Sequence, residues 1–281
     1  RREEGGMRAS DIIALFGEPE AGLAAGQVED FAWLAIPYAE GFHIRAGWQV
    51  RKPMAAWTAD DMWQWERTVP DIAAFRARVE DAAEHRRELR APGRRRGRGG
   101  ANTPGGPAQT AEIYADGVAF FTTAGHGGFK LARARNAAMP KALRVAGGWY
   151  EEDCEWAKVA VAFPDLFTKS ERRSAEESLR HWYPDAWEAV HGRTLAPGES
   201  REKDRRLFEA AHAEDWIVIS ASRLDDAPDM VRCIAARGGD HASTERRAYL
   251  VPASDYTTGL FGFVIDERAH QRCDGESDGA V

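Results

Sequence analysis

The sequence predicts an α+β protein: a mostly antiparallel sheet with helices packed on one face, plus a smaller tryptophan-rich α/β region at the N-terminus. Three observations carry this expectation. Short apolar or alternating segments occur early and late in the chain, with segments of helical period between them. An Asp116-Gly117 pair separates two such segments, which is a hairpin signal. Hydrophobic residues make up 43% of the 281 positions and charged residues 30%, enough apolar side chain for a packed core and too much for wholesale disorder.

Residues 1–90 are the tryptophan-rich region. It holds Trp33, Trp48, Trp57, Trp63 and Trp65, half of the chain's ten tryptophans. FAWLAIPYA (31–39) and GFHIRAGWQV (41–50) read as strands, the second partly alternating. TADDMWQWERTV (58–69) begins like a helix, with Thr58 able to cap and Asp60 and Asp61 where the helix dipole favours anions. The clearest helix is PDIAAFRARVEDAAEHRRELR (70–90). Pro70 suits a first turn, and Ile72, Phe75, Val79, Ala82 and Ala83 repeat at helical spacing to form one apolar stripe.

Residues 91–110 read as an Arg/Gly/Pro-rich linker, because no apolar period survives there. Seven arginines fall in the thirteen positions from Arg86 to Arg98. They suit either a solvated joint or an arm for nucleic acid or a partner protein, with Arg94, Arg95, Arg96 and Arg98 as phosphate-binding candidates. No aromatic residue interleaves them, so base stacking by this segment is not expected.

Residues 111–270 read as the main α+β domain. AEIYADGVAFFTTAG forms the expected hairpin and GGFKL a further short strand. Residues 149–164 read as a helix stopped by Pro164, followed by helices over 170–183, 185–192 and 198–215. Strands are expected at 215–222, 230–239, 246–252 and 259–266, and a flexible polar tail at 271–281.

Composition narrows the function classes. The net charge of −7 argues against nonspecific nucleic-acid binding by the chain as a whole. No run of apolar residues is long enough to cross a membrane, and RREEGGMRAS lacks the apolar core of a secretory signal. Cys154, Cys233 and Cys273 match no zinc spacing and make a poor disulfide framework, so reduced thiols in the cytoplasm are expected.

Two stretches concentrate chemistry. In TTAGHGGFKL (122–131), His126 stands among glycines at 125, 127 and 128, which allow close backbone approach. In GGWYEEDCEWA (147–157), Glu151, Glu152, Asp153 and Glu155 surround Cys154. One reading makes His126, Glu151, Glu152 and Asp153 the catalytic candidates, with a divalent cation held by the imidazole and by Glu155 paired with Glu151 or Glu152 on one helix face. Gly127, Gly128, Trp149 and Tyr150 are the adjoining binding candidates. The other reading is structural: a tight turn beside an acidic helix start, with Cys154 as a core residue. Which metal, and whether any cofactor is used, are left open.

The segments ANTPGGPAQTAEIYADGVAFFTTAGHGGFKL, MPKALRVAGGWYEEDCEWAKVAVAFPDLF and LVPASDYTTGLFGFVIDE resemble a bacterial family, domain of unknown function 7007, over roughly residues 102–270. Similar sequences occur in proteobacterial chromosomes, plasmids and phages. The resemblance implies no established activity. It implies that His126, Gly127, Gly128, Trp149, Tyr150, Glu151, Glu152 and Asp153 occupy the family's hallmark positions. Similar sequences carry Ser before the histidine and Trp after Thr-Pro, where this chain has Gly125 and Gly105. A serine nucleophile at the turn is therefore not expected. Two functions follow: a cytoplasmic accessory protein of a mobile element that binds a protein or nucleic acid, or a metal-dependent, nuclease-like hydrolase.

Overall fold

A computed structural model describes residues 12–19, 22–90 and 93–273. The fold is α+β, with three antiparallel sheets of four or five strands where one main sheet was expected. The chain divides into two compact units, residues 1–179 and 180–281.

The first sheet is a meander in chain order: β1 (Leu15–Gly17), β2 (Ala24–Val28), β3 (Phe31–Tyr38), β4 (Gly41–Trp48) and β5 (Gln64–Val69). Helix α1 (Ile72–Leu89) follows, its N-terminus capped by Asp71, which accepts from the Ala74 amide at 2.7 Å. The expected stripe is the packed face: Phe75, Val79 and Ala83 are buried against Trp33, Ala35 and Ile44. Gly26 on β2 gives the helix room, since a Cβ there would lie 2.6 Å from Val79. The opposite face is covered by Trp57 and Met62, packed on Ala25, Ala32 and Leu34.

The helix expected over 58–69 is not formed. Thr58 and Asp61 do make a capping box, but it closes only a single 3-10 turn at Ala59–Asp61. Gln64–Val69, rich in residues that favour extended backbone, then pairs with β4 from Ala46↔Gln64 to Phe42↔Val69.

The second sheet has the order β12-β11-β10-β9-β6, built from β6 (Arg95–Gly97), β9 (Thr110–Ala115), β10 (Val118–Thr122), β11 (Gly128–Leu131) and β12 (Trp149–Glu151). A small hairpin of β7 (Asn102–Thr103) and β8 (Gly106–Pro107) precedes β9. The Asp116-Gly117 turn forms as expected, with Gly117 at φ +74°. The segment expected to be a linker thus contributes three short strands, and one of them is a sheet edge. Backbone pairing of Arg95–Gly97 with Ala111–Ile113 replaces the apolar period that the linker reading looked for.

Helices α2 (Arg133–Ala138), α3 (Trp156–Ala162) and α4 (Lys169–Trp182) follow. The helix expected from 149 begins only at Trp156. Gly147 and Gly148 have positive φ, and Trp149–Glu151 leaves them as a strand paired with β11. The acidic cluster therefore lies at a strand end and a turn, not in the first turn of a helix.

The second unit contains α5 (Pro184–His191), α6 (Arg201–Ala211, capped by Ser200) and a sheet of β13 (Trp216–Arg223), β14 (Met230–Arg237), β15 (Arg246–Pro252) and β16 (Gln271–Cys273). Trp216, Cys233, Ala235, Tyr249 and Val251 form its core. The strand expected at 259–266 is reduced to bridges: Val218 donates to the Phe263 carbonyl at 2.9 Å and Ile265 to that of Trp216 at 2.8 Å. Gly262, at φ +129°, interrupts the extended run. Of the expected tail, 271–273 pairs with β15, and 274–281 lies outside the described residues.

Candidate functional site

The turn between β10 and β11 is held by its own side chain. Thr123 Oγ1 donates to the His126 carbonyl at 2.7 Å and accepts from the Gly125 amide at 3.2 Å. Gly105 packs on the same carbonyl, and a Cβ there would come within 2.5 Å of it. A tryptophan at 105 has no room in this arrangement. The His126 side chain points out, 70% exposed.

The β11–β12 ladder brings the acidic residues to this turn. Its register is Gly128↔Glu151, Phe129↔Tyr150 and Lys130↔Trp149. Alternation along a strand then places Lys130, Trp149 and Glu151 on one face and Phe129 and Tyr150 on the other. His126 Nδ1 lies 3.9 Å from Glu151 Oε1 and 4.0 Å from Glu152 Oε1. One ligand atom from each of the three residues falls within 4.8 Å of the others. Glu151 is anchored by one oxygen, Oε2, which accepts from the Asp153 amide at 2.7 Å. Its other oxygen, Oε1, is buried and accepts no hydrogen bond from the described residues. A buried carboxylate oxygen without a donor is costly unless a cation or proton satisfies it.

Of the four catalytic candidates the structure therefore unites His126, Glu151 and Glu152. Asp153 is exposed and contributes its backbone amide, while its carboxylate stands outside the group. The expected pairing of Glu155 with Glu151 or Glu152 as ligands is not made. Glu155 Oε1 instead holds the buried Lys158 ammonium at 2.7 Å, because Trp156 rather than Trp149 opens the helix. The Cys154 thiol is pushed up by burial and then by the Asp153 and Glu151 charges, which disfavours a thiolate nucleophile.

The binding candidates divide by face. Tyr150 is fully buried; its hydroxyl donates to Asn136 Oδ1 at 2.6 Å and accepts from the Val145 amide at 3.0 Å. Burial raises its pKa above the ordinary phenol value, and its role is structural. Trp149 shares the face of Glu151, lies over Gly128 and stacks on Phe121 at 6.4 Å. A Cβ at Gly127 would collide with the Glu152 carboxylate and the Phe121 carbonyl.

The arginine run does not act as one arm. Arg94 is bidentate on Glu171, donates to the Leu166 carbonyl at 3.2 Å and lies 4.0 Å over the Tyr114 ring. Burial opposes both charges of this pair. Burial is the largest single effect on each, but the mutual hydrogen bond and the surrounding charges together outweigh it, raising the Arg94 pKa and, with the Thr168 amide, lowering that of Glu171. Arg90 bonds Glu29, Arg86 lies over Phe31 at 4.4 Å, and Arg87 donates to the Ile12 carbonyl at 2.7 Å. Arg95, Arg96 and Arg98 are exposed, as is Arg90 beside Glu29.

A second feature of this face was not visible in the sequence. A cleft of about 410 Å³ is lined by Lys130, Arg133, Asn136 and Arg144. Its cations are spread over fifteen positions and form no charge run.

Residues 98–213 match a family model, Domain of unknown function (DUF7007). The DUF7007 match includes the His126 turn, β12 and the basic cleft. It stops short of Leu250–Glu267, which the resemblance had included. No match to the chain was found among curated proteins or among solved structures. Among the described residues no helix is long and apolar enough to cross a membrane.

Proposed function

We propose that this protein is a divalent-cation-dependent hydrolase whose cation is held by His126, Glu151 and Glu152. The observation that carries the reading is the convergence of one nitrogen and two carboxylate oxygens within 4.8 Å, with Glu151 Oε1 lacking any donor. A mixed N/O set suits a first-row or hard divalent ion. Three protein ligands, an exposed imidazole and two half-buried carboxylates, leave positions for water and substrate. A cation there would polarise a substrate oxygen and lower the pKa of a bound water. Cys154 and Cys233 are thiols outside any disulfide, which suits the cytoplasm. The test is release of nitrophenolate from bis(4-nitrophenyl) phosphate with Mn²⁺, with EDTA, and by Glu151→Gln. The expected result is turnover that requires both the metal and Glu151. Turnover by none of the three would remove hydrolysis of phosphate diesters.

A second reading, an accessory protein that binds a partner or nucleic acid without chemistry, is favoured by one surface. Tyr38 and Trp65, which strand register puts on one face of the first sheet, and Trp63, one residue before β5, are each more than half exposed, an unusual concentration of solvent-facing aromatic rings.

A further inference from the structure

The cation reading leaves the substrate undefined, and the sheet face beside the site narrows it. Strand register aligns two rows across that face. One runs Arg95, Ile113, Ala119, Lys130, Trp149, and the other Gly97, Ala111, Phe121, Gly128, Glu151. Cations therefore stand near both edges, with Ile113, Ala119, Ala111, Phe121 and Gly128 between them. Ile113, Ala119, Phe121 and Trp149 are only partly buried. Past the C-terminal end of β11 lies the cleft lined by Lys130, Arg133 and Arg144.

The charge in that cleft is uncompensated. Lys130 Nζ donates to the Gly147 carbonyl at 2.6 Å, and Arg144 donates to the carbonyls of Ala137 at 2.7 Å and Met139 at 2.9 Å. Carbonyls orient these groups without neutralising them. Among the described residues no carboxylate pairs with Lys130, Arg133 or Arg144, whereas Arg94, Lys158 and Arg173 each have one. In a chain of net charge −7, three unneutralised cations around one cleft select an anionic ligand. Lys130 and the Gly128–Glu151 pair are two positions apart on one face, about 7 Å along the strand. A ligand that reaches both the cleft and the cation must extend beyond a single phosphate. Trp149, lying between them, offers a ring edge or face to a base.

We propose that this face binds a single nucleic-acid strand, with backbone phosphates held by Lys130, Arg133 and Arg144 and by Arg95 at the far edge, one phosphodiester being presented to the cation. The presentation step rests on the cation reading; the strand binding does not.

The experiment is fluorescence anisotropy of a labelled oligothymidylate of about 20 nucleotides at low salt in EDTA, with Mn²⁺ binding measured separately on the same proteins. Saturable binding is expected that weakens several-fold in Arg133→Glu and in Arg95→Glu, both at exposed positions. The salt slope should fall by about 1 for each cation removed. No binding by the wild type, or unchanged affinity in both arginine variants, would overturn the proposal, even where Mn²⁺ binds normally. Displacement of the strand by inorganic phosphate at equal concentration would overturn the strand in favour of a small phosphate ester. Strand binding without Mn²⁺ binding would uphold this inference and remove the cation reading.

Discussion

The Glu152 carboxylate occupies the space that a side chain at Gly127 would need, and the Phe121 carbonyl closes that space from the other side. The glycine thus serves the position of a neighbouring carboxylate rather than a left-handed backbone, since Gly127 is not among the positive-φ residues.

Gly127→Ala is accordingly expected to displace Glu152 and weaken Mn²⁺ binding about tenfold or more, with about 1–3 kcal/mol lost from stability through overpacking. Gly125→Ala is the control, because no atom of the described residues lies within 4 Å of a Cβ there. It should leave both quantities unchanged. Isothermal titration and urea denaturation of the two variants check this.

Arg94 and Glu171 predict a different pattern. Arg94→Ala leaves a largely buried carboxylate without its guanidinium and should cost about 2–4 kcal/mol. Arg95→Ala, one residue on and exposed, should stay within about 0.5 kcal/mol of wild type. Urea midpoints at constant slope separate the two. Equal losses would mean that the run acts as one charged surface after all.

His85 gives a pH dependence. Its Nδ1 lies 2.8 Å from Thr168 Oγ1, and burial lowers its pKa below the ordinary 6.5 against the opposing pull of Glu171. Below pH 6.5 the unfolded chain takes up a proton that the folded protein resists, so stability falls as the pH drops through that range. Above it both states are neutral and the contribution is flat. The melting temperature should therefore drop more between about pH 7.5 and 5.5 in wild type than in His85→Gln. Parallel drops would contradict this.

Tyr150→Phe removes the hydroxyl that joins Asn136 to the Val145 amide and leaves both without it. A loss of about 1–3 kcal/mol is expected with Mn²⁺ affinity unchanged, because Tyr150 faces away from Glu151. A large fall in metal affinity in a folded Tyr150→Phe would show that the two faces are coupled.

Where the sequence was legible, one local signal sufficed. The 72–83 stripe gave α1, and Asp116-Gly117 gave the β9–β10 turn. The meeting of His126 with Glu151 and Glu152 was suggested by residue type, but its cause, the Gly128↔Glu151 register, is a long-range pairing that spacing cannot reveal. Local signals misled where two patterns overlap. Trp-Tyr-Glu-Glu-Asp reads as acidic residues at a helix start, yet its aromatic pair is a strand and its acids a turn. Thr58 and Asp61 make a true cap on a helix that never extends. The role of Arg94 was hidden because its partner lies 77 positions away. β2 (AAGQV) was missed because its apolar residues are small and do not alternate clearly with polar ones.

One divalent cation held by His126, Glu151 and Glu152 is the proposal on which the others depend. Calorimetric titration of Mn²⁺ into metal-stripped wild type and into a folded Glu151→Gln/Glu152→Gln double variant tests it most directly. The account predicts one site per chain in wild type and its loss in the variant, with unfolding midpoints that show the variant intact. Absence of binding by wild type, or an equal site in the double variant, would contradict it.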